Sequence, residues 1–423
     1  MLNRAIAPKI HVLDSIIYPE PEEKTFKNTT FYTFLIPGSS VVQMDIVFTK
    51  GFLKQGQPLL ANFAFNLLLS GTEKLSSNEI NNSLDTLGAY TSMKVHQNHS
   101  VLTIYCVEEN LKNVLEIMTP ILHEVNYPEQ DLAVYRNEIL NNYKISKTKT
   151  SYNAKVATNR LLYGTDTELG YTIKEEDYKT VSRGTIQEFH SKNIHKGNCY
   201  VVLSSGNPNL QEEVSSYFDS FGPKLSPTNH KLIYNSSKTM NELIHVNNAA
   251  QSAVCVSKIL IGPEHADFHK LSFVNTLLGG YFGSRLMSNI REDKGLTYGI
   301  HSSIRINGDK GVFDISTEVK GNKHQQCLEE IDKEIINLQE EEVSSKEMET
   351  VKNYTLGLIT KNISNPTNNN NRLINLKSKG LSYSHLYNYI NTINDITSKD
   401  VLEISNTYFQ TSSLYKVVAT KDN

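Results

Sequence analysis

Two long stretches of this chain carry the same order of patterns, and that repetition limits the fold more than any single motif. In the first, Val41-Val42-Gln43-Met44-Asp45-Ile46-Val47-Phe48 alternates apolar and polar like a half-buried strand. A helix over residues 59–69 follows, then a second near Ser77–Leu87. Strand signals come next in Tyr90–Val95 and Ser100–Val107, and Leu111, Val114, Leu115 and Met118 fall at helical spacing. Pro128 opens a further helix through Tyr143. In the second stretch, Ala253–Leu260 reads as the opening strand, with helical runs near Ala266–Leu278 and Ser284–Arg291. Strands follow at Tyr298–Ile306 and Val312–Val319, then helical patterns in Cys327–Leu338 and Ser345–Thr360. Gly88 and Gly295 precede the two strand pairs, and Gly51 and Gly262 close the two opening strands.

The pattern predicts an α+β protein of two similar domains related by duplication, each a mostly antiparallel sheet covered by helices. The prolines and polar residues of Gly222-Pro223-Lys224-Leu225-Ser226-Pro227-Thr228-Asn229 suit a linker. The expected organisation is a first domain over 1–222, a linker over 223–240 and a second domain over 241–423. The run Asn365-Pro366-Thr367-Asn368-Asn369-Asn370-Asn371 reads as a polar surface loop between two helices.

Composition rules out several classes. A net charge of -3, with Lys and Arg spread along the chain, offers no basic field for nucleic acid or anionic lipid. No apolar run approaches the roughly 20 residues of a membrane span, so no membrane partner is expected. The Met-Leu-Asn-Arg-Ala start lacks an apolar signal segment, which makes a cytoplasmic location the expectation. Cys106, Cys199, Cys255 and Cys327 lie far apart with no Cys-x-x-Cys pair, and read as core residues rather than disulfides or zinc ligands.

The helix over 59–69 is followed by Ser70-Gly71-Thr72. It resembles the active-site helix of the inverted-motif (H-x-x-E-H) zinc peptidases, the pitrilysin-type family, which carries that motif just before a Gly-Thr. Registered on Gly71-Thr72, the two His positions hold Asn62 and Asn66, and the Glu position holds Phe65. Two His at i and i+4 on a helix face can grip one zinc ion, and the Glu takes a proton from zinc-bound water. A carboxamide is a weaker, neutral ligand better suited to hard cations, and a phenyl ring accepts no proton. The resemblance places the family's distal Glu ligand at Asn142, in Tyr135-Arg136-Asn137-Glu138-Ile139-Leu140-Asn141-Asn142. All four positions lack charge, so no metal is expected in this chain. His96/His99 and His265/His269 are spaced as pairs but lack a third ligand in the sequence; both read as ordinary loop or surface histidines.

The second stretch holds Leu278-Gly279-Gly280-Tyr281-Phe282-Gly283-Ser284-Arg285-Leu286, then Ile290-Arg291-Glu292-Asp293-Lys294-Gly295-Leu296-Thr297-Tyr298. This is similar to the second-domain signature of the same family: glycines, Ser-Arg-Leu, a helix, then an Arg and a Tyr around a Gly-Leu turn. The resemblance runs from Ala5-Ile6-Ala7-Pro8 to the final helices. It implies that Arg291 and Tyr298 are the pair that reaches a zinc centre to hold the substrate backbone and stabilise its oxyanion. An Arg fork and a Tyr hydroxyl are suitable donors for that task. Read without the resemblance, the two are a helix-end Arg and a half-buried strand Tyr. Arg285 reads as a structural ion-pair residue.

Taken together, the resemblance implies a non-catalytic subunit, similar to the Arg/Tyr subunit of bacterial heterodimeric members and to mitochondrial processing peptidase subunits. Its partners would be a homologous chain with an intact H-x-x-E-H, holding the zinc, and a peptide or unfolded substrate. No peptidase activity is expected from this chain alone. The alternative is a structural scaffold or a peptide-binding homodimer of the same fold.

Overall fold

The computed structural model describes residues 16–53, 56–195, 198–221 and 232–421. The Ala5–Pro8 stretch and residues 223–231 of the expected linker lie outside them. Two mixed sheets carry the fold. The first contains β1 (Glu22–Phe26), β2 (Thr29–Leu35), β3 (Val41–Phe48), β4 (Tyr90–Val95), β5 (Ser100–Val107) and β6 (Cys199–Ser205). The second contains β7 (Asn241–His245), β8 (Gln251–Leu260), β9 (Thr297–Asn307), β10 (Lys310–Lys320) and β11 (Tyr415–Thr420).

Their orders are β1-β2-β6-β3-β5-β4 and β7-β11-β8-β10-β9. Setting β1 aside, the two match strand for strand. β2 lies parallel to β6 as β7 does to β11, and every other neighbour is antiparallel. The repeated pattern in the sequence is thus a repeated topology. β4 and β9 are the equivalent edge strands.

The alternation of β3 does not mean a wet outer face. Val42, Met44, Ile46 and Phe48 enter the first core with Phe63, Phe65 and Leu68 of the motif region. Gln43, Asp45 and Val47 point the other way, and they are buried too. They are covered by a helix from the second half, Thr367–Ser378, whose Leu373 and Ile374 pack on Tyr32, Phe34, Val47 and Val202. The cover is reciprocal. The helix Thr150–Tyr163, from the first half, lies on β8 and β11 through Ala154, Ala157, Leu161 and Leu162 against Ala253, Val417 and Ala419.

Buried polar groups join each exchanged helix to its sheet. Asn370 is fully buried; its Nδ2 donates to Asp45 Oδ2 (2.8 Å) and its Oδ1 accepts from Ser204 Oγ (2.6 Å). Gln43 and Thr103 also donate to Asp45. On the other side, Asn307 Nδ2 donates to the hydroxyl of Tyr163 (2.6 Å). The asparagine run expected to form a surface loop is therefore the first turn of a covering helix. The Asn370 amide helps to satisfy a buried carboxylate, a donor that an apolar residue there would lack.

Candidate functional site

The motif helix is short, Leu60–Asn66, and begins after Leu59 in a left-handed conformation (φ 67°) without a side-chain cap. Five residues beyond its end, Gly71 takes a φ of +130°, which a side chain would strain. Gly71 bridges to Ser76, and its carbonyl accepts from Asn126 N (2.9 Å). Tyr127, fully buried, donates its hydroxyl to Ala64 O (3.0 Å) and so fixes the helix from behind.

Phe65 is 1 % exposed, its ring 5.4 Å from that of Phe48 and 6.1 Å from that of Phe189. The position of a general base is thus part of the apolar core. Asn66 is exposed and donates its Nδ2 to Asn62 O (2.8 Å), one turn back on its own helix. It also shares a hydrogen bond with Tyr135, whose phenol burial pushes up to about 12. Tyr135, on the helix Glu129–Lys147, packs edge-on to Phe63. Asn142 lies two turns further along that helix, about 10 Å by the helical rise, and is exposed. Its carbonyl accepts from Ser146 Oγ, and Glu138 is exposed as well.

Zinc does not fit this site. Its ligand positions offer neutral amides, and its base position holds a packed phenyl ring. Among the described residues, no group of three or more His, Cys, Asp or Glu gathers as a metal site. His96 and His99 stack with centroids 4.4 Å apart. They flank the β4–β5 turn, where His96 N donates to His99 O and folds the two together. His269 meets His385, a neighbour the sequence did not suggest, at 4.4 Å.

The second half presents a different surface at its glycine loop. A Cβ on Gly279 would fall 2.7 Å from Ser302 Oγ and 2.8 Å from Ser302 N, so the loop lies hard against β9. Tyr281 packs on Tyr354 at 4.7 Å, and Arg285 forms a two-pronged bond to Glu347 (2.8 and 2.9 Å), the structural ion pair expected of it. A π-helical turn, Met287–Asp293, carries Arg291. Gly295, at φ +61°, lets the chain reverse, and Leu296 N returns to Ile290 O (3.0 Å). Thr297 Oγ1 then donates to Glu318 O (2.8 Å) and starts β9.

This turn sets Arg291 and Tyr298 at the edge strand of the second sheet. Tyr298 is 93 % exposed, far from the half-buried strand Tyr of the residue-only reading. Arg291 is partly exposed, lies 3.8 Å from Glu292, and stacks over the ring of Phe282 at 4.6 Å. Nothing in the sequence spacing ties Phe282 to Arg291.

Residues 180–355 match the peptidase M16 inactive domain. The chain is 23% identical over 345 residues to the uncharacterized zinc protease YmxG of Bacillus subtilis, covering 79% of this chain and 82% of that one. An uncharacterized zinc protease of Rickettsia bellii is 21% identical over 333 residues, 76% and 78% of the two chains. Among solved structures, the peptidase M16 inactive domain from Pseudomonas fluorescens superposes with a TM-score of 0.84 at 19% identity, covering 95% and 98%. A protease from Helicobacter pylori does so with a TM-score of 0.84 at 17% identity, covering 96% and 100%. Residues 180–355 are thus similar to the peptidase M16 inactive domain, and most of the chain is similar to uncharacterized zinc proteases and shares the fold of solved M16 structures. At the motif positions this chain carries amide and phenyl groups where the resemblance implies zinc ligands and a general base.

Proposed function

We propose that this chain is the non-catalytic subunit of a two-chain zinc metallopeptidase acting on peptides or unfolded segments. It lends Arg291 and Tyr298 to the zinc site of a homologous chain with an intact H-x-x-E-H. The observation that carries this reading is the exposure of Tyr298 on an edge strand beside a guanidinium that is only loosely paired. An exposed Tyr hydroxyl and an Arg fork can both donate to one peptide carbonyl as it becomes an oxyanion.

In this mechanism Arg291 holds the carbonyl and Tyr298 donates a neutral hydrogen bond to it. The partner supplies the zinc, the activated water and the base. The curated relatives called zinc proteases support a proteolytic setting, and in this reading the metal belongs to the partner chain. Co-purification with a motif-bearing homologue and a quenched-peptide assay test the reading. Arg291→Ala and Tyr298→Phe are each expected to lower kcat in the complex, by about 10²-fold for a lost oxyanion donor. A complex with unchanged rates in both variants makes the chain a scaffold instead.

A further inference from the structure

We propose that Phe282 is the positioning residue for Arg291. This inference rests on the preceding reading of Arg291. The glycine loop is held on both sides of Phe282. Gly279 abuts Ser302, Tyr281 packs on Tyr354, and the Arg285–Glu347 pair ties the following residues to the helix Ser345–Ile363. Ser284 N also closes onto Tyr281 O (3.1 Å). A Cβ on Gly283 would meet the Tyr281 ring at 2.9 Å, so the backbone passes close beneath that ring.

From this fixed loop Phe282 projects 64 % exposed. The guanidinium of Arg291 lies 4.6 Å from its centroid. The ring face offers negative potential without consuming any N–H, so the donors stay free for a carbonyl. A carboxylate would hold the Arg more tightly but would occupy its fork. The nearest one, Glu292, stands at 3.8 Å, outside good hydrogen-bond range. Phe282 therefore restrains a long, flexible side chain while leaving its chemistry unspent. That lowers the ordering cost of binding.

A double-mutant cycle in the co-purified two-chain complex tests this. Phe282→Ala is expected to lower kcat/KM about two- to five-fold, the range of an exposed cation–π contact. Phe282→Tyr, which keeps the ring, should restore the rate. In an Arg291→Ala background, Phe282→Ala should cause no further loss, because its effect passes through the guanidinium. An equal loss in both backgrounds, or no loss in the wild-type background, overturns the proposal. If Phe282→Ala melts early, Phe282→Leu repeats the cycle with the apolar volume kept and the π face removed. An Arg291→Ala complex at full activity refutes the role of Arg291, and this proposal with it. An impaired Arg291→Ala beside a silent Phe282→Ala refutes this proposal alone.

Discussion

The two halves share a sheet topology, yet they treat corresponding ground in opposite ways. In the first, the helix that resembles a metal-binding helix has been absorbed: Phe65 is core, and Asn66 is tied to its own helix. In the second, the turn between the π-helical segment and β9 leaves Arg291 and Tyr298 facing outward, with Phe282 beneath the Arg. Once a site loses its chemistry, nothing prevents its positions from being recruited for stability.

The sharpest way to break this contrast is at Phe65. Phe65→Ala is expected to cost about 3–5 kcal/mol in urea denaturation, and Phe65→Glu at least as much, because it buries a carboxylate among aromatic rings. A Phe65→Glu protein as stable as the parent would mean that the first half still keeps a polar cleft. Zinc offers a companion test. A site filled at 100 times its Kd would add about 2.7 kcal/mol of stability. The expected result for the purified chain is no zinc-dependent rise in Tm and no stoichiometric metal by elemental analysis.

Next in size is the clasp between halves. Asn370→Ala removes the donor to Asp45 and the acceptor for Ser204, at an expected cost of about 1–3 kcal/mol. A loss below a few tenths of a kcal/mol would show that the exchanged helix is held by its apolar face alone.

Acid sharpens the comparison further. Burial pushes His99 and His190 of the first half, and His269 of the second, down to about 4. The unfolded chain, near 6.5, then binds more protons than the folded one between those values, so stability falls as pH drops from about 6.5 to 4. His190→Gln should flatten that slope by up to about 1.4 kcal/mol per pH unit, the weight of one proton. An unchanged slope would mean that His190 charges without cost.

The smallest expected effect is at Tyr298. Tyr298→Ala should change stability by no more than about 0.5 kcal/mol, as for a surface position without structural partners. A loss above 1 kcal/mol would assign the ring a structural job and dissolve the contrast.

Much of this was legible in the chain. β3, β4 and β5 were readable because their alternation is local, and the repeat was readable because the second stretch follows the same order. The motif helix and the Arg291–Tyr298 turn could be placed from Gly71 and Gly295, which mark backbone conformations that other residues resist. The helix exchange was hidden. Periodicity identifies the face a helix buries but not the sheet that receives it. Asn370 looked like a solvated amide because its partner, Asp45, lies 325 residues away. Phe282 escaped notice for a similar reason: its link to Arg291 is a ring-to-cation contact across a turn, with no sequence period of its own.

The reciprocal covering helices also decide how this molecule can open. Each half completes the other, so parting them would uncover two apolar sheet faces and the Asp45 carboxylate at once. A backbone cut between residues 221 and 232 would leave two pieces still clasped, each wearing a helix that belongs to the other. The exchanged helices therefore hold the two halves together as one body.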